Sequence, residues 1–329
     1  LPATVPRVLD GMFWVGRYAE RSEAMLRLVL AADTLVADRR VHVRAADDVS
    51  LEVLMGAVRR LAGVRADDVG EDLRSVLLDA DRVGSAAHAL SGLRGSLTSV
   101  RDQVSLDAWR ALGTMDRAVA VLASTPRNQQ IAESAGRILT GVLALQGVSA
   151  NMVRDTGWHM LGAGQSLERA LQVAHLLRLT AERRTIDVDR EVLSAVLAAA
   201  ESAVTHRRRY RDYVRPAGVL DLLVVDRENP RSLLFSLDRL GEHLAAQAAS
   251  TGSTRPERLV ADLVGQVAAI DVPSLVAIDG VDRPNLVAFL DDVTTQLERI
   301  GEAVAAVHFA TGPRPRTFGV LSALTGATP

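Results

Sequence analysis

Asp10-Gly11-Met12-Phe13-Trp14-Val15-Gly16-Arg17-Tyr18-Ala19-Glu20-Arg21-Ser22-Glu23-Ala24-Met25-Leu26-Arg27-Leu28-Val29-Leu30 opens the longest periodic stretch of the chain, which continues to about Arg40. Met12, Val15, Ala19, Leu26 and Leu30 recur at three- and four-residue spacings, which puts them on one stripe of an α-helix. The same period returns along the sequence, and strand signals are few. It predicts a helix from Ser50 to Leu61 that stops at Gly63, and helices over 71–83 and 85–102. Ser105 is a candidate N-cap for the next helix, which carries Trp109 and ends near Ser124-Thr125-Pro126. The segment 127–183 reads as two helices meeting near Asp155–Gly157. Asp187 or Asp189 is a candidate cap for a helix through Val192, Leu193, Val196 and Leu197. Asn229-Pro230 predicts another helix start, with Asn as N-cap and Pro at the first helical position. The last long helix is expected from about Pro284 to His308. The fold class is therefore all-α, an antiparallel helical bundle. One helical domain is expected over 1–312, with an irregular tail over 313–329.

Composition excludes several classes of chemistry. The 329 residues contain no cysteine and no lysine, and all 38 basic residues are arginine. Thiol nucleophiles, disulfides, zinc-thiolate and iron–sulfur sites are ruled out, as are a Schiff-base lysine and a P-loop lysine. Arginine-only usage resembles a high-GC bacterial coding bias. A formal net charge of -2 lacks the blanket of positive charge that a general nucleic-acid binder requires, so no nucleic-acid partner is expected. No apolar run is long enough to span a bilayer, so no membrane partner is expected. Leu1-Pro2-Ala3-Thr4-Val5-Pro6 has neither an initiator Met nor the layout of a signal peptide; it reads as a cut end, and the expected compartment is the cytoplasm. The seven histidines show no metal-ligand spacing, so no metal site is expected. There is no nucleophile elbow and no Gly-rich phosphate loop.

One motif occurs twice. Gly16-Arg17-Tyr18-Ala19-Glu20-Arg21 matches Gly164-Gln165-Ser166-Leu167-Glu168-Arg169 as Gly-x-x-x-Glu-Arg, and Trp14 and Trp158 precede the two copies. Glycine four residues before glutamate lies one turn away on the same face, where another helix or a ligand can approach. Adjacent Glu and Arg point about 100° apart around a helix and need partners from elsewhere. Two readings follow. In the first, Glu20 pairs with Arg169 and Glu168 with Arg21, locking two facing helices related by a possible internal two-fold. In the second, the four residues surround a ligand in a polar cavity.

These residues resemble the alpha-E family, a bacterial all-helical domain named for its Glu-Arg motif. Phe13 to Arg21 is similar to that family's opening, Ser105-Leu106-Asp107-Ala108-Trp109 to its middle motif, and Glu168-Arg169 to its second Glu-Arg. Tyr210-Arg211-Asp212-Tyr213 and Asp226-Arg227-Glu228-Asn229-Pro230-Arg231-Ser232 resemble its late signature. Gln165 stands where the first copy has Arg17, so the two copies are not equivalent. The resemblance implies a partner: a circularly permuted ATP-grasp ligase in cis or in trans, with a transglutaminase-like peptidase nearby. ATP and Mg would belong to that ligase, with no cofactor bound by this chain, since the ATP-grasp fold relies on lysines that this sequence lacks.

The candidate ligand-binding residues are Arg17, Tyr18, Glu20, Arg21, Glu168, Arg169, Tyr210, Tyr213, Asn229 and Arg231, around an anionic or peptide-like small substrate. Thr205 to Arg215 is the most basic stretch; it is either an anion site or a solvated helix face. Arg231, placed in a first helical turn, opposes the macrodipole and so calls for a partner: Asp226, Glu228 or an anionic ligand. Tyr210 and Tyr213 are expected beside the same cavity as Glu20. Three functions remain open: a substrate-positioning domain for an ATP-dependent amide ligase, a stand-alone enzyme using Glu20 and Glu168 as acid and base, and a structural scaffold.

Overall fold

A computed structural model describes residues 5–41, 45–126, 130–211, 213–247 and 255–309. Among them are fourteen α-helices and no strand, only isolated bridges that join Asp282 to Glu182 and to Asp279. The bundle is organised about α1 (Pro6–Val41), whose 36 residues extend for about 54 Å at the usual helical rise. Met12, Val15, Ala19 and Leu26 of its apolar stripe are buried, and Leu30 is half-buried. The expected tail, 313–329, lies outside the described residues. No described helix is long and apolar enough to cross a membrane.

Helices α2 (Ala45–Ala62), α3 (Val69–Leu78), α4 (Ala86–Ser99) and α5 (Leu106–Ser124) follow. Gly63, with φ +69°, closes α2, its N–H donating to the Arg59 carbonyl at 2.7 Å. Ser85 caps α4 by accepting the His88 N–H, whereas Ser105 precedes α5 without a side-chain cap bond. The 127–183 region divides into α6 (Ile131–Ala150) and α7 (Thr156–Leu177) at Asp155, whose carboxylate accepts the Trp158 N–H. A 3-10 turn over Arg178–Thr180 leads to α8 (Ile186–Ala199). Thr185, not Asp187 or Asp189, holds the N-cap position there; the two aspartates occupy the first turn, where they favour the helix dipole.

After α9 (Ala203–Tyr210), α10 (Pro216–Leu220) runs into a π turn at Asp221–Val225. The next helix, α11 (Leu233–Ala245), corrects the sequence reading: Ser232 is its N-cap, accepting the Phe235 N–H, and Asn229-Pro230 lie in the turn before it. The Asn229 amide donates to Ser202 Oγ and the Leu222 carbonyl, and its Oδ1 accepts the Arg231 N–H. That side chain ties the turn to Ser202, just before α9, and to the π turn. The chain continues with α12 (Pro256–Ala268), α13 (Val272–Leu275) and α14 (Pro284–His308).

Packing is mostly antiparallel, but not at the centre. Tyr18 of α1 faces Gly92 of α4 while Gly11 faces Ser99, and Thr156 and His159 of α7 meet Gln247 and His243. The two Glu-Arg helices, α1 and α7, run in the same direction: Phe13 faces Gly164, Gly16 faces Gln165, and Glu20 meets Arg169. Both glycines are required by this crossing. A Cβ on Gly164 would fall 2.9 Å from the Phe13 carbonyl carbon, and one on Gly16 would fall 2.8 Å from the Gln165 nitrogen. The two backbones are therefore in direct contact, a closeness that a side chain at either position forbids.

Candidate functional site

Beyond the glycine contact, the α1–α7 seam becomes ionic. Glu20 and Glu168 follow their glycines by one turn and are 3% and 1% exposed. Arg169 grips Glu20 with both arms of its fork, Nε at 2.9 Å and Nη2 closer. Arg21 grips Glu168 in the same way at 2.8 and 2.9 Å. The locking arrangement is thus present, and it is reciprocal. The copies differ where Gln165 replaces an arginine: Arg17 adds a third contact to Glu168 at 2.7 Å, and Gln172 a fourth. Burial opposes ionisation of Glu168, but the charges of Arg17 and Arg21 and their hydrogen bonds prevail and hold it below the usual carboxylate range.

A third carboxylate joins them. Glu23, 1% exposed, accepts from Arg27 at 2.8 Å, Arg231 at 2.6 Å and Gln146 at 2.7 Å. Gln146 also donates to Glu20 at 3.1 Å, so one amide joins two buried carboxylates. Burial raises the Glu23 pKa, yet the Arg231 charge and three donors bring it down to about 2. Sequence reasoning missed Glu23, Arg27, Gln146 and Gln172. Part of the signal was available: Glu20, Glu23 and Arg27 are three and four residues apart, hence on one face of a helix that is otherwise apolar there.

Arg231 meets neither Asp226 nor Glu228. Its partner is Glu23, 208 positions away in sequence, and because α11 starts at Leu233 the residue does not sit in a first helical turn. Tyr18 packs on Gly92, where a Cβ would come within 2.7 Å of the ring, and lies against Trp14 at 5.2 Å. Tyr210 donates to Asp221 and stacks on His206; burial and that carboxylate push its hydroxyl up to about 12. Tyr213 is 72% exposed beneath Arg215. Neither of these two tyrosines lines the cavity that Glu20 lines. Arg209 pairs with Asp226, while Arg208, Arg211 and Arg215 are exposed.

That cavity, about 60 Å³, lies between α1, α2, α7 and α8. Glu20, Glu23, Arg27, Arg169 and Arg231 form its charged end, and Leu28, Leu61, Val173 and Leu176 are among its apolar walls. His175 also lines it; its Nδ1 is buried without a partner among the described residues, and burial lowers the ring's pKa below its ordinary value. Five guanidiniums meet Glu20, Glu23 and Glu168, with Arg27 also reaching the exposed Glu201. The arrangement can hold an anion; no described group of three or more side chains could hold a metal ion.

Comparison with known proteins identifies the architecture. The family model described as alpha-E, a predicted alpha-helical domain with a conserved ER motif, matches residues 5–309. The chain belongs to the alpha-E family. Both Glu-Arg pairs of this alpha-E chain, Glu20-Arg21 and Glu168-Arg169, lie in the central seam. An uncharacterised protein of Mycobacterium bovis is 33% identical over 333 residues, and two of Mycobacterium tuberculosis match to the same extent. Each alignment covers 93% of this chain but 37% of the relative, so the alpha-E chain spans little more than a third of the curated relatives it matches. No solved structure matches it.

Proposed function

We propose that this alpha-E chain positions a small anionic or peptide-like substrate for a circularly permuted ATP-grasp ligase, in cis or in trans, in ATP-dependent amide bond formation in the cytoplasm. ATP and Mg would be bound by the ligase, and a transglutaminase-like peptidase would act on the same class of product. The observation that carries this reading is the cavity at whose charged end guanidiniums outnumber carboxylates. The greater length of the mycobacterial relatives supports it, since it leaves room for a further domain on the same polypeptide.

A scaffold reading is favoured by one specific observation, the closed reciprocal pairing of Glu20 with Arg169 and of Glu168 with Arg21. Those two pairs are assigned to holding the helices in register. Glu23, Arg27 and Arg231, on the cavity side, are assigned to the ligand. The acid–base reading has less support, because both arms of an arginine occupy each of Glu20 and Glu168, and Glu168 is held ionised. The test is reconstitution of the ATP-grasp ligase with and without this chain, followed by ADP release and mass analysis of products. Arg231→Gln should abolish chain-dependent product formation. A ligase that turns over equally well without the chain would reject the positioning role.

A further inference from the structure

We infer that the cavity between α1, α2, α7 and α8 takes a short aliphatic monocarboxylic acid, its tail against the apolar walls and its carboxylate at the arginine rim. This rests on the substrate-positioning role above and names the chemical class of the substrate. Charge sets the head group. Of the charged residues that line the cavity, Arg27, Arg169 and Arg231 are cationic and Glu20 and Glu23 anionic, while the other partner of Arg27, Glu201, is exposed to solvent outside the lining. One positive charge is in excess, and a monoanion balances it; a dianion overshoots, and an ammonium adds to the imbalance.

Donor geometry points to Arg231 as the reader of that carboxylate. Arg169 spends both arms on Glu20, and Arg27 divides its fork between Glu23 and Glu201. Arg231 commits only Nη2, to Glu23, among the described residues. Its side chain is 21% exposed, so the rim it forms reaches solvent, where a partner enzyme can reach a bound carboxylate. A planar fork with open donors suits a carboxylate.

Size and lining set the tail. An apolar cavity of about 150 Å³ accepts benzene. At about 60 Å³ this one is well under half that volume. It therefore accommodates about two or three carbons without rearrangement. The walls opposite the arginines, Leu28, Ala57, Leu61, Val173 and Leu176, offer that tail no hydrogen-bond partner from their side chains.

The test is calorimetric and NMR titration of the 329-residue chain with sodium propionate, n-propylamine, L-alanine, inorganic phosphate and octanoate. Saturable propionate binding is expected, with octanoate at least tenfold weaker and no measurable binding of propylamine or phosphate. Arg231→Gln should weaken propionate at least tenfold. Because that change also removes a partner of Glu23, Ala57→Leu serves as the second variant: it fills the cavity, leaves every ion pair in place and should also weaken propionate at least tenfold. Val204→Ser, on an exposed side chain, should change nothing. Absence of saturable propionate binding, equal binding of propylamine or phosphate, tighter binding of alanine, or full binding by Ala57→Leu overturns the assignment. Binding needs no ligase, so the two claims fail separately. Propionate bound while the ligase ignores the chain rejects positioning alone; a chain-dependent ligase without propionate binding rejects the carboxylate alone.

Discussion

Gly164→Ala probes the crossing on which the fold depends. The new methyl would lie 2.9 Å from the Phe13 carbonyl carbon, 3.2 Å from its Cα, and nearer still to its oxygen. Ordinary contact begins at 3.4 Å, and the obstacle is backbone, so no side chain can rotate out of the way. The helices must part by more than half an ångström. A gap of about 0.5–1 Å forfeits roughly a quarter to a half of each dispersion contact along the seam. Overpacking costs about 1–3 kcal/mol, and the bidentate Glu20–Arg169 and Arg21–Glu168 pairs stretch with the separation. Better helix propensity returns about 1 kcal/mol. The net expectation is a loss of about 1–2 kcal/mol, read as a lower urea midpoint at unchanged slope. Gly16→Ala should cost a similar amount, and the double variant less than the sum, because one separation relieves both clashes. Gly265→Ala is the control: nothing lies within 4 Å of its added Cβ, so it should stabilise by about 0.5–1 kcal/mol. A neutral or stabilising Gly164→Ala would refute the backbone contact at this crossing.

Three further outcomes are expected. Glu20→Ala and Arg169→Ala should each destabilise by about 3–5 kcal/mol, with a coupling of about 0.5–3 kcal/mol in a double-mutant cycle; additivity would remove the lock. Arg82→Met should cost at least about 3 kcal/mol, since Arg82 is 1% exposed, pairs with buried Asp72 and donates to the Ala62 and Gly63 carbonyls; Arg110→Met, an exposed pair, should stay within about 0.5 kcal/mol. Stability should fall on acidification in two windows. Burial and the neighbouring positive charges hold His243 at about 4, below its ordinary 6.5, so the unfolded chain takes up that proton first and stability declines between these values. Glu23, with its pKa lowered from 4.5 to about 2, contributes stability above pH 4.5 that is lost as pH falls towards 2, roughly 3 kcal/mol in all. His243→Leu should make the first window shallower in pH-dependent melts, the remainder coming from the other histidines that burial lowers, such as His175 and His308, and an unchanged profile would show that the His243 ring carries no such penalty.

Helix identity was legible wherever apolar period and capping agreed. The long first helix, and the break at Asp155, follow from residues within one or two turns of each other. The repeated Gly-x-x-x-Glu-Arg announced both the contact and its reciprocal ion pairs, because glycine and glutamate one turn apart constrain the partner as well as the helix itself. Local signals failed at Asn229-Pro230. Two capping residues, Asn229 and Ser232, stand three positions apart, and the choice fell to tertiary structure: Ser202 and Leu222 claim the Asn229 amide, while Leu233, Leu234 and Leu237 begin the buried face. Arg231 was recognised as needing a partner, but its nearest sequence neighbours were misleading, since Glu23 comes from the other end of the chain. Arg82 gave no signal at all, because its acceptors are mostly backbone carbonyls of a helix end that composition does not reveal. The parallel course of α1 and α7 also escaped the sequence reading, which assumed the usual antiparallel hairpins.

The seam between α1 and α7 joins residues 147–151 positions apart. During synthesis at about 5–20 residues per second, α1 waits roughly 7–30 s for its partner to emerge. Over that interval one side of a long apolar helix has nothing to cover it. Glu20, Glu23, Arg17, Arg21 and Arg27 then stand in water on the nascent helix, keeping part of its surface hydrated and resisting premature association with other chains. The charges that end up locking the finished bundle thus serve first as a solubilising face, until the second Glu-Arg helix pairs with Arg17, Glu20 and Arg21 and the later Glu201 and Arg231 reach Arg27 and Glu23.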